Sequence, residues 1–375
     1  MIELGSVISF EKGKKPIELA TEPQKGYLPY VDIEAFETGT VKKYTSGEKC
    51  LACEDGDILI VCDGSRSGLV GYAIHGFVGS TLAKISCEDL LNQYLFYFLQ
   101  GKYRLLNTSK KGTGTPHLNP TLLRQQKIVV PPIEEQQRIV TRIEELFSEL
   151  DSAVETLQKT KQQLEVYRQA VLKEAFAECQ STVKVNDVCK HVTDGDHMPP
   201  PKTETGIPFI MISNIDKNVI NWNGTAFVNR EYYENINDKR RPQKGDVLYT
   251  VTGSFGIPVL VDFDREFCFQ RHIALLRPNN RIIQKYLYYV MQEPEVYQQA
   301  EKKSTGTAQK TVSLSVLRNI EIPFVESVKE QERIVEKIES QLSVCDGIER
   351  TIEESLQQAE AMRQSILKKA FEGRL

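Results

Sequence analysis

The chain has 375 residues, of which 40% are hydrophobic and 26% are charged, and its formal net charge at pH 7 is −4. This composition is typical of a globular chain with at least two domains, and it contains no apolar run long enough to span a membrane. The N-terminus lacks a secretory signal pattern and the eight cysteines have scattered spacing, so we expect a cytoplasmic protein in a reducing compartment.

Residues 1–132 are the first predicted domain, and their pattern is mixed α/β. β-rich runs at Ile58–Val61 and Val70–Ile74 are separated by turn residues, and a helical run follows near Leu90–Tyr103. Two predicted loops combine cations with short polar side chains, which can contact phosphates and base edges. The candidate DNA-binding residues on these loops are Ser65, Arg66, Ser67, Lys110, Lys111, Thr113, Thr115 and His117.

Residues 133–180 form the first of two predicted long helices. This helix follows the Pro131-Pro132 pair and carries Glu134 and Glu135 in its first turn, where negative charge suits the helix dipole. Apolar residues then recur at spacings of four and three, which predicts a coiled-coil seam on a helix about 60–65 Å long. The predicted seam residues are Ile139, Ile143, Leu146, Leu150, Leu157 and Leu164.

Residues 181–326 are the second predicted domain, again mixed α/β. β-rich runs cover Phe209–Ile212, Val247–Val251 and Pro258–Asp262, and a helical run covers Ile283–Gln299. Polar and basic residues again cluster on predicted loops. The candidate DNA-binding residues here are Lys239, Arg240, Arg241, Ser254, Phe255, Arg271, His272, Lys302, Lys303, Thr305, Gln309 and Lys310. For each single candidate in either domain, a solvated surface side chain is the alternative interpretation.

Residues 327–375 form the second long helix, and they repeat the first. Glu135–Phe176 and Glu330–Phe371 align without a gap at an offset of 195, with 19 of 42 positions identical. Weaker echoes extend the repeat through both domains, which predicts a unit of about 190 residues present twice. The predicted seam residues of the second helix are Ile334, Ile338, Ile348, Ile352, Met362 and Ile366.

Both apolar seams are buried only if the second helix folds back antiparallel along the first. We therefore predict two α/β (α+β) domains joined by two long antiparallel helices that form a coiled coil. The internal repeat then implies a pseudo-twofold axis across the helix pair, with one domain at each end. Strand order cannot be predicted from the sequence.

Charge is distributed unevenly along the chain. Each predicted domain carries a net charge of +1, whereas the helix segments 133–180 and 327–375 carry −4 and −2. Acidic helices are poor phosphate binders, so any DNA contact is expected in the domains and protein contact on the helices.

Enzyme and metal motifs are absent from the sequence. It contains neither a phosphate-binding loop nor a dinucleotide-binding glycine turn, and it lacks the Pro-Pro-aromatic motif of an amino-methyltransferase. The Cys50-x-x-Cys53 pair has no second pair at zinc-site spacing, and Asp194-Gly195-Asp196-His197 fits a polar turn better than a metal loop. We therefore expect no catalytic residues and no metal site in this chain.

A duplicated set of motifs carries a family resemblance. Each repeat has a Gly-Thr loop, a Leu-Arg pair, a proline, a Glu-Gln-x-Arg-Ile-Val helix start and a closing Lys-x-Ala-Phe. This arrangement resembles the DNA specificity subunit (S subunit) of type I restriction–modification systems, and Ile366–Leu375 is similar to that family's C-terminal signature. The match is specific in the helices and weak in the domains.

The resemblance implies one target-recognition domain for each half of a bipartite site in double-stranded DNA. It also implies helices that bind two adenine-N6 methyltransferase (M) subunits, with restriction (R) subunits joining that core. S-adenosylmethionine, ATP and magnesium would then be bound by the partners, and this chain would hold no cofactor. Two alternatives remain: an enzyme in its own right, which the missing motifs disfavour, and a coiled-coil scaffold with two ligand-binding end domains and no DNA role.

Overall fold

The computed structural model describes residues 1–109, 116–197, 200–306 and 309–375. The chain divides into two compact units. Unit 1 consists of Met1–Leu157 with Glu353–Leu375, and unit 2 consists of Gln158–Ile352. Both long helices contribute one part to each unit. Even these helices are too polar to cross a membrane, and no other described helix could do so.

Unit 1 contains the first mixed α/β domain. Its strands are β1 (Ile2–Glu3), β2 (Ser9–Lys12), β3 (Leu28–Val31), β4 (Tyr44–Thr45), β5 (Ala52–Cys53), β6 (Ile58–Val61), β7 (Val70–Tyr72), β8 (Gly76–Val78), β9 (Leu82–Ser86) and β10 (Lys127–Ile128). Its helices are α1 (Ile33–Thr38), α2 (Asn92–Thr108) and α3 (Pro120–Arg124), with a 3-10 turn at Leu4–Ser6. The long helix α4 (Ile133–Ala177) begins here.

Unit 2 contains the second domain. Its strands are β11 (Ser181–Lys184), β12 (Cys189–Asp194), β13 (Lys202–Thr203), β14 (Ile207–Ile210), β15 (Ile215–Asp216), β16 (Val219–Ile220), β17 (Ala226–Val228), β18 (Val247–Thr250), β19 (Pro258–Leu260), β20 (Cys268–Phe269), β21 (Ile273–Pro278) and β22 (Glu321–Phe324). Its helices are α5 (Val185–Val188), α6 (Arg230–Asn235), α7 (Gln284–Val290), α8 (Pro294–Lys302) and α9 (Leu314–Arg318), with 3-10 turns at Ile212–Asn214 and Asp238–Arg240. The second long helix, α10 (Val328–Phe371), begins here.

One predicted helix is in fact two. The run Ile283–Gln299 is interrupted between α7 and α8, because Pro294 cannot donate the backbone hydrogen bond that a continuous helix requires. The Glu293 side chain instead accepts a hydrogen bond from Val296 N and caps α8.

The same antiparallel sheet is found in both units. Its strand order is β2-β9-β6-β7 in unit 1 and β12-β21-β18-β19 in unit 2. A second four-stranded sheet in each unit contains one parallel pair, β3 with β8 and β14 with β20. The internal repeat therefore includes the strand order of the antiparallel sheet, whereas the second sheets place their parallel pair differently, in the middle in unit 1 and at an edge in unit 2.

The strands β6 and β18 are buried along their whole length on both faces, and apart from Thr250 their residues are hydrophobic. In β6, Ile58 and Ile60 join one apolar cluster, while Leu59 and Val61 join another on the opposite face. In β18 the alternate residues likewise divide between two clusters. Each sheet thus separates a core on its helical side from a core shared with the second sheet.

A repeated Gly-Asp pair begins each central strand. Gly56 and Gly245 have φ values of +87° and +95°, a region that favours glycine. The Asp57 carboxylate accepts from Glu54 N at 2.8 Å and pairs with Lys84, while Asp246 accepts from Gln243 N at 2.8 Å and pairs with Arg277. The pair therefore fixes the turn before the strand.

Within each unit the two long-helix segments run antiparallel. In unit 1, Ile143 and Phe147 of α4 pack in one cluster with Ile366, Leu367 and Ala370 of α10. In unit 2, ion pairs join Lys161 to Glu349, Arg168 to Asp346 and Lys337 to Glu174, so residue numbers fall on α10 as they rise on α4.

Most predicted seam residues face the partner helix segment or the domain core. Ile143, Leu164, Ile334, Ile338, Ile352 and Ile366 are buried, and Ile139, Leu146, Leu150 and Leu157 are partly buried. The prediction is wrong for Ile348 and Met362, whose exposed fractions are 41% and 54%.

At both exceptions the next residue along the helix faces inward instead. The inward positions next to Ile348 and Met362 are taken by Glu349, which pairs with Lys161 and Arg168, and by Arg363, which pairs with Asp151 and covers the Phe147 ring at 4.8 Å. The neighbouring seam positions Ile352 and Ile366 remain buried, so the shift is local. At each exception the inward position lies one residue further along, on a charged side chain that buries its stem.

A buried glutamine ties the start of each long helix to its domain. Gln136 and Gln331 are fully buried. The Gln136 amide accepts from Leu91 N at 2.8 Å and donates to the carbonyls of Asp89 and Pro131. The Gln331 amide makes the equivalent bonds to Ile283 N and to the carbonyls of Arg281 and Val325.

The end of each long helix completes the core of the other repeat's domain. Phe371 of α10 meets the Tyr94 ring at 5.0 Å in unit 1, and Phe176 of α4 meets the Tyr286 ring at 5.3 Å in unit 2. Both tyrosine hydroxyls donate to a backbone carbonyl just before a long helix, that of Val129 or Pro323. The repeated Ala-Phe motif is thus a packing element.

We expect Gln136→Ala and Gln331→Ala each to lower the free energy of unfolding by about 1–3 kcal/mol, because a buried N–H loses its acceptor. Urea unfolding measures this. The neighbouring exposed residues provide matched controls, and Gln137→Ala and Glu332→Ala should leave the midpoint unchanged. Equal midpoints for all four variants would contradict the role of the buried amides.

We expect Ile143→Asp and Ile338→Asp to destabilise their units by more than about 3 kcal/mol, since each buries an unpaired charge. The exposed positions supply the comparison: Ile348→Asp and Met362→Asp should change stability by less than about 0.5 kcal/mol. Thermal melting of the four variants tests which positions face inward. The sequence pattern alone predicts a similar loss of stability for all four variants, whereas the structure predicts a large loss only at Ile143 and Ile338.

Candidate nucleic-acid interface

Polar loops distant in sequence meet at the same place in both units. Junction 1 joins Asp63–Gly64 to Pro116–Leu118, and junction 2 joins Thr252–Gly253 to Lys310–Val312. Backbone hydrogen bonds hold each junction: Gly64 N to Pro116 O and Leu118 N to Cys62 O in the first, Gly253 N to Lys310 O and Val312 N to Val251 O in the second. Just beyond the end of β6 or β18, each junction contains one antiparallel bridge, Asp63 with His117 in the first and Thr252 with Thr311 in the second.

Junction 1 carries a row of three polar side chains, Lys12, Asp63 and His117, in which Asp63 lies between the other two. The Asp63 carboxylate accepts from Lys12 Nζ at 2.9 Å and lies 2.7 Å from His117 Nδ1. Partial burial would raise the pKa of Asp63, but the hydrogen bonds from Lys12 and His117 outweigh it and hold that pKa below its usual value. The carboxylate is therefore ionised at neutral pH and orients two exposed cationic or polar groups.

The remaining candidates of the first domain differ in accessibility. Ser65 and Arg66 are exposed, and the Arg66 guanidinium pairs with Glu37. Ser67 is wholly buried, and its hydroxyl donates to the Gly64 carbonyl at 2.7 Å. The prediction that Ser67 contacts DNA is corrected, because this hydroxyl stabilises the turn from inside. Lys110, Lys111, Thr113 and Thr115 lie outside the described residues.

Junction 2 borders a polar groove in unit 2. The groove is lined by Asp194, His197, Thr252, Arg271, His272, Gln309 and Thr311. The Asp194 carboxylate lies 2.8 Å from His197 Nε2 and accepts from Arg240 at 3.3 Å. Of the predicted residues, Arg271, His272 and Gln309 are therefore brought together here.

A second groove of unit 2 lies beside the first and shares the Thr193–His197 segment. It is lined by Thr193, Asp196, Tyr232, Asn235, Asn237, Lys239 and Arg240. Burial raises the pKa of Tyr232, and its hydrogen bond to Asp196 raises it further, so the hydroxyl remains a donor to that carboxylate. Lys239 and Arg240 thus face a site with both donors and acceptors.

Other predicted cations of the second domain lie at its surface. Arg241 pairs with Asp238 and lies 5.8 Å from the Tyr233 ring, and Lys310 pairs with Glu301 at 3.2 Å. Lys302, Lys303, Ser254 and Thr305 are exposed. The Thr305 backbone also bridges to Thr311, which places it at junction 2.

The prediction for Phe255 is also corrected. Its ring is buried and stacks on Tyr297 with centroids 5.4 Å apart and planes 6° from parallel. Gly256, at φ +91°, turns the chain beside it, and a Cβ at this glycine would lie 2.5 Å from the Tyr297 ring. Phe255 therefore anchors the loop that displays Ser254.

Four residues of these surfaces were not among the predicted site residues: Lys12, Asp63, Asp194 and Tyr232. Asp63 and His117 are 54 positions apart, and Lys12 and Asp63 are 51 apart. The available signal was positional: Asp63 and Thr252 directly precede the repeated Gly-Ser pair.

Within the described ranges, no group of three or more His, Cys, Asp or Glu side chains could hold a metal ion. The cysteines are unpaired, and Cys53 is buried. Burial first, then the nearby Asp57 charge, raises the Cys53 pKa to about 11, so this thiol is a poor metal ligand or nucleophile at neutral pH.

Comparison with known proteins identifies a family. A sequence model described as "Type I restriction modification DNA specificity domain" matches residues 1–166 and 180–358. The type I restriction enzyme MjaVIII specificity subunit of Methanocaldococcus jannaschii is 26% identical, over 91% of this chain and 85% of that protein. The EcoBI specificity subunit of Escherichia coli is 25% identical, over 94% and 81%.

A solved structure has the same fold. A chain from a structure on complex assembly and conformational transition of the type I R-M system superposes with a TM-score of 0.73, covering 100% of this chain and 97% of that chain at 21% identity.

We expect Phe255→Ala to lower the free energy of unfolding by about 3–5 kcal/mol, because it removes a buried ring, whereas Ser254→Ala should change it by less than about 0.5 kcal/mol. Urea unfolding tests the pair. The conservative variant Phe255→Leu should retain DNA affinity. A loss of affinity in folded Phe255→Leu would show that the ring contacts DNA after all.

Proposed function

The chain belongs to the family of type I restriction modification DNA specificity domains, and we propose that it is the sequence-specific DNA-binding subunit of a type I restriction–modification complex. The main structural support for this proposal is that the same hydrogen-bonded backbone arrangement, called here the backbone frame, occurs at junctions 1 and 2. Junctions 1 and 2 have the same hydrogen-bonded backbone, but their side chains differ: Asp63 and an exposed His117 in one unit, a buried Thr252 and a half-buried Thr311 in the other.

Two frames with different side chains suit a bipartite target. Hydrogen bonds from side chains to base edges specify sequence, whereas contacts to phosphates fix position. Each domain therefore recognises one half of an asymmetric site, through its junction and the adjacent grooves. The scaffold alternative without a DNA role is disfavoured, because a DNA specificity family covers both domains.

The two long helices form an antiparallel coiled coil in this proposal, with a pseudo-twofold axis across it. Its support is the antiparallel ion pairing found within unit 2 and the equivalent cluster within unit 1. A dyad would present the two domains to opposite strands of one duplex.

The outer faces of the helices bind the catalytic partners. Val166, Tyr167, Val344 and Ile348 are exposed apolar residues of unit 2, and Met362 is one of unit 1. Exposed apolar side chains on acidic helices favour contact with protein over DNA. We assign these faces to two adenine-N6 methyltransferase subunits, to which restriction subunits are added.

Catalysis belongs to those partners in this proposal. They bind S-adenosylmethionine, ATP and magnesium, and this chain supplies position. The purified chain alone is then expected to show no methyl transfer, cleavage or ATP hydrolysis.

Domain exchange tests the central assignment. Residues 1–132 are replaced by the matching domain of a relative with a different target, the chain is co-expressed with the methyltransferase subunits, and methylated adenines are mapped. We expect one half-site to change and the other, with the spacer, to persist. The reciprocal exchange of residues 181–326 is the control. Change of both half-sites in either exchange would contradict one-domain, one-half-site recognition.

A further inference from the structure

We propose that His117 contacts a base edge in the half-site recognised by unit 1, and that Asp63 acts as its positioning residue. This inference rests on the proposed function, because it assigns one contact within it. It concerns two side chains whose geometry the structure fixes and whose joint role the sequence pattern does not reveal.

The outer two side chains of the row Lys12, Asp63 and His117 are the exposed ones. The Asp63 side chain is 21% exposed, whereas those of Lys12 and His117 are 49% and 53% exposed. The carboxylate therefore lies recessed between two groups that reach solvent. An ion pair formed only for surface stability would contribute little here.

The imidazole is fixed at both ends. The His117 backbone is held by the bridge to Asp63, and its ring is held through Nδ1 at 2.7 Å from the carboxylate. An ionised carboxylate only accepts hydrogen bonds, so Nδ1 carries the proton. Among the described residues Nε2 has no partner, and it is the ring atom that remains for a ligand.

The second unit shows that this chemistry is not required by the fold. At junction 2 the equivalent positions are Thr252 and Thr311, whose hydroxyls lie 3.5 Å apart. Lys12 pairs with Ala83 of β9, and Asp194 pairs with Ala274 of β21. Lys12 and Asp194 therefore occupy equivalent strand positions in the two units. The backbone frame is common to both units, but only junction 1 carries an exposed ring at this place, because Thr252 is buried against Thr311.

That difference favours a base over a phosphate. Phosphates carry no sequence information, so a phosphate-binding position has no reason to change between two domains on one duplex. A position that contacts a base edge must change when the half-site changes. With the proton on Nδ1, Nε2 can accept a hydrogen bond from the exocyclic amino group of adenine or cytosine.

The experiment uses the chain co-expressed with its methyltransferase subunits, and it measures methylation across all single-base variants of the mapped target. We expect His117→Ala to relax discrimination about tenfold at one base pair of the unit 1 half-site and to leave the other half-site unchanged. Asp63→Ala should relax the same base pair. Asp63→Asn retains an acceptor for Nδ1–H and should restore much of the discrimination.

A matched pair in the same domain provides the control. His75 Nδ1 lies 2.6 Å from the Glu54 carboxylate on the surface, away from the junction, and His75→Ala and Glu54→Ala should leave the profile unchanged. Melting temperatures confirm that each variant folds, and His117→Asn serves as a second substitution. An unchanged profile for folded His117 variants, or a uniform loss at every base pair as from a phosphate contact, would overturn the inference alone. Absence of any defined target for the wild-type complex would overturn the proposed function as well.

Discussion

The packing of a helix-end phenylalanine against a domain tyrosine is the interaction on which both units depend. Phe371 joins Tyr94 in unit 1, although 277 positions separate them, and Phe176 joins Tyr286 in unit 2. Because the long helices begin in one unit and end in the other, each domain core includes a ring from the end of a long helix. Unit 1 takes this ring from a segment remote in sequence, whereas unit 2 is one continuous segment. Burial of an aromatic ring contributes on the order of 3–5 kcal/mol, so folding of each domain is linked to a helix end, and in unit 1 that end is remote in sequence.

This dependence explains where the two repeats resemble each other. Two of the repeated features join helix to domain, the buried glutamine amide and the closing Ala-Phe, and a third, the Gly-Asp turn, begins the central strand. Each has a geometric requirement that few other residues meet. The intervening loops have no such requirement and differ between the repeats, which is why sequence similarity concentrates in the helices.

Local pattern was sufficient for much of the fold. Apolar strands such as Ile58–Val61 and the two long helices could be predicted, because burial on both faces and helical periodicity leave direct traces in sequence. Pro294 was a visible signal for the break between α7 and α8, but the helical apolar pattern continues on both sides of it and favoured a single helix. The inward orientation of Glu349 and Arg363 could not be predicted, since it depends on ion pairs with residues of α4.

The candidate site was less accessible to sequence reasoning. Residue type suggested Ser67 and Phe255, but type does not reveal that a serine hydroxyl turns inward or that a phenylalanine stacks on Tyr297. Asp63 was missed because its partners are remote in sequence and an isolated aspartate before a glycine has the pattern of a turn. Proximity created by the sheet, rather than composition, brings these groups together.

The backbone character of the two junctions has an evolutionary consequence. Main-chain hydrogen bonds hold the bridging segments in place, and they form whatever side chains those positions carry. Substitution at an exposed junction position therefore changes surface chemistry at little cost in fold stability. Such a frame lets the recognition surface vary by point mutation or recombination, whereas the buried helix positions, such as Ile143 and Ile338, accept few substitutions without loss of stability.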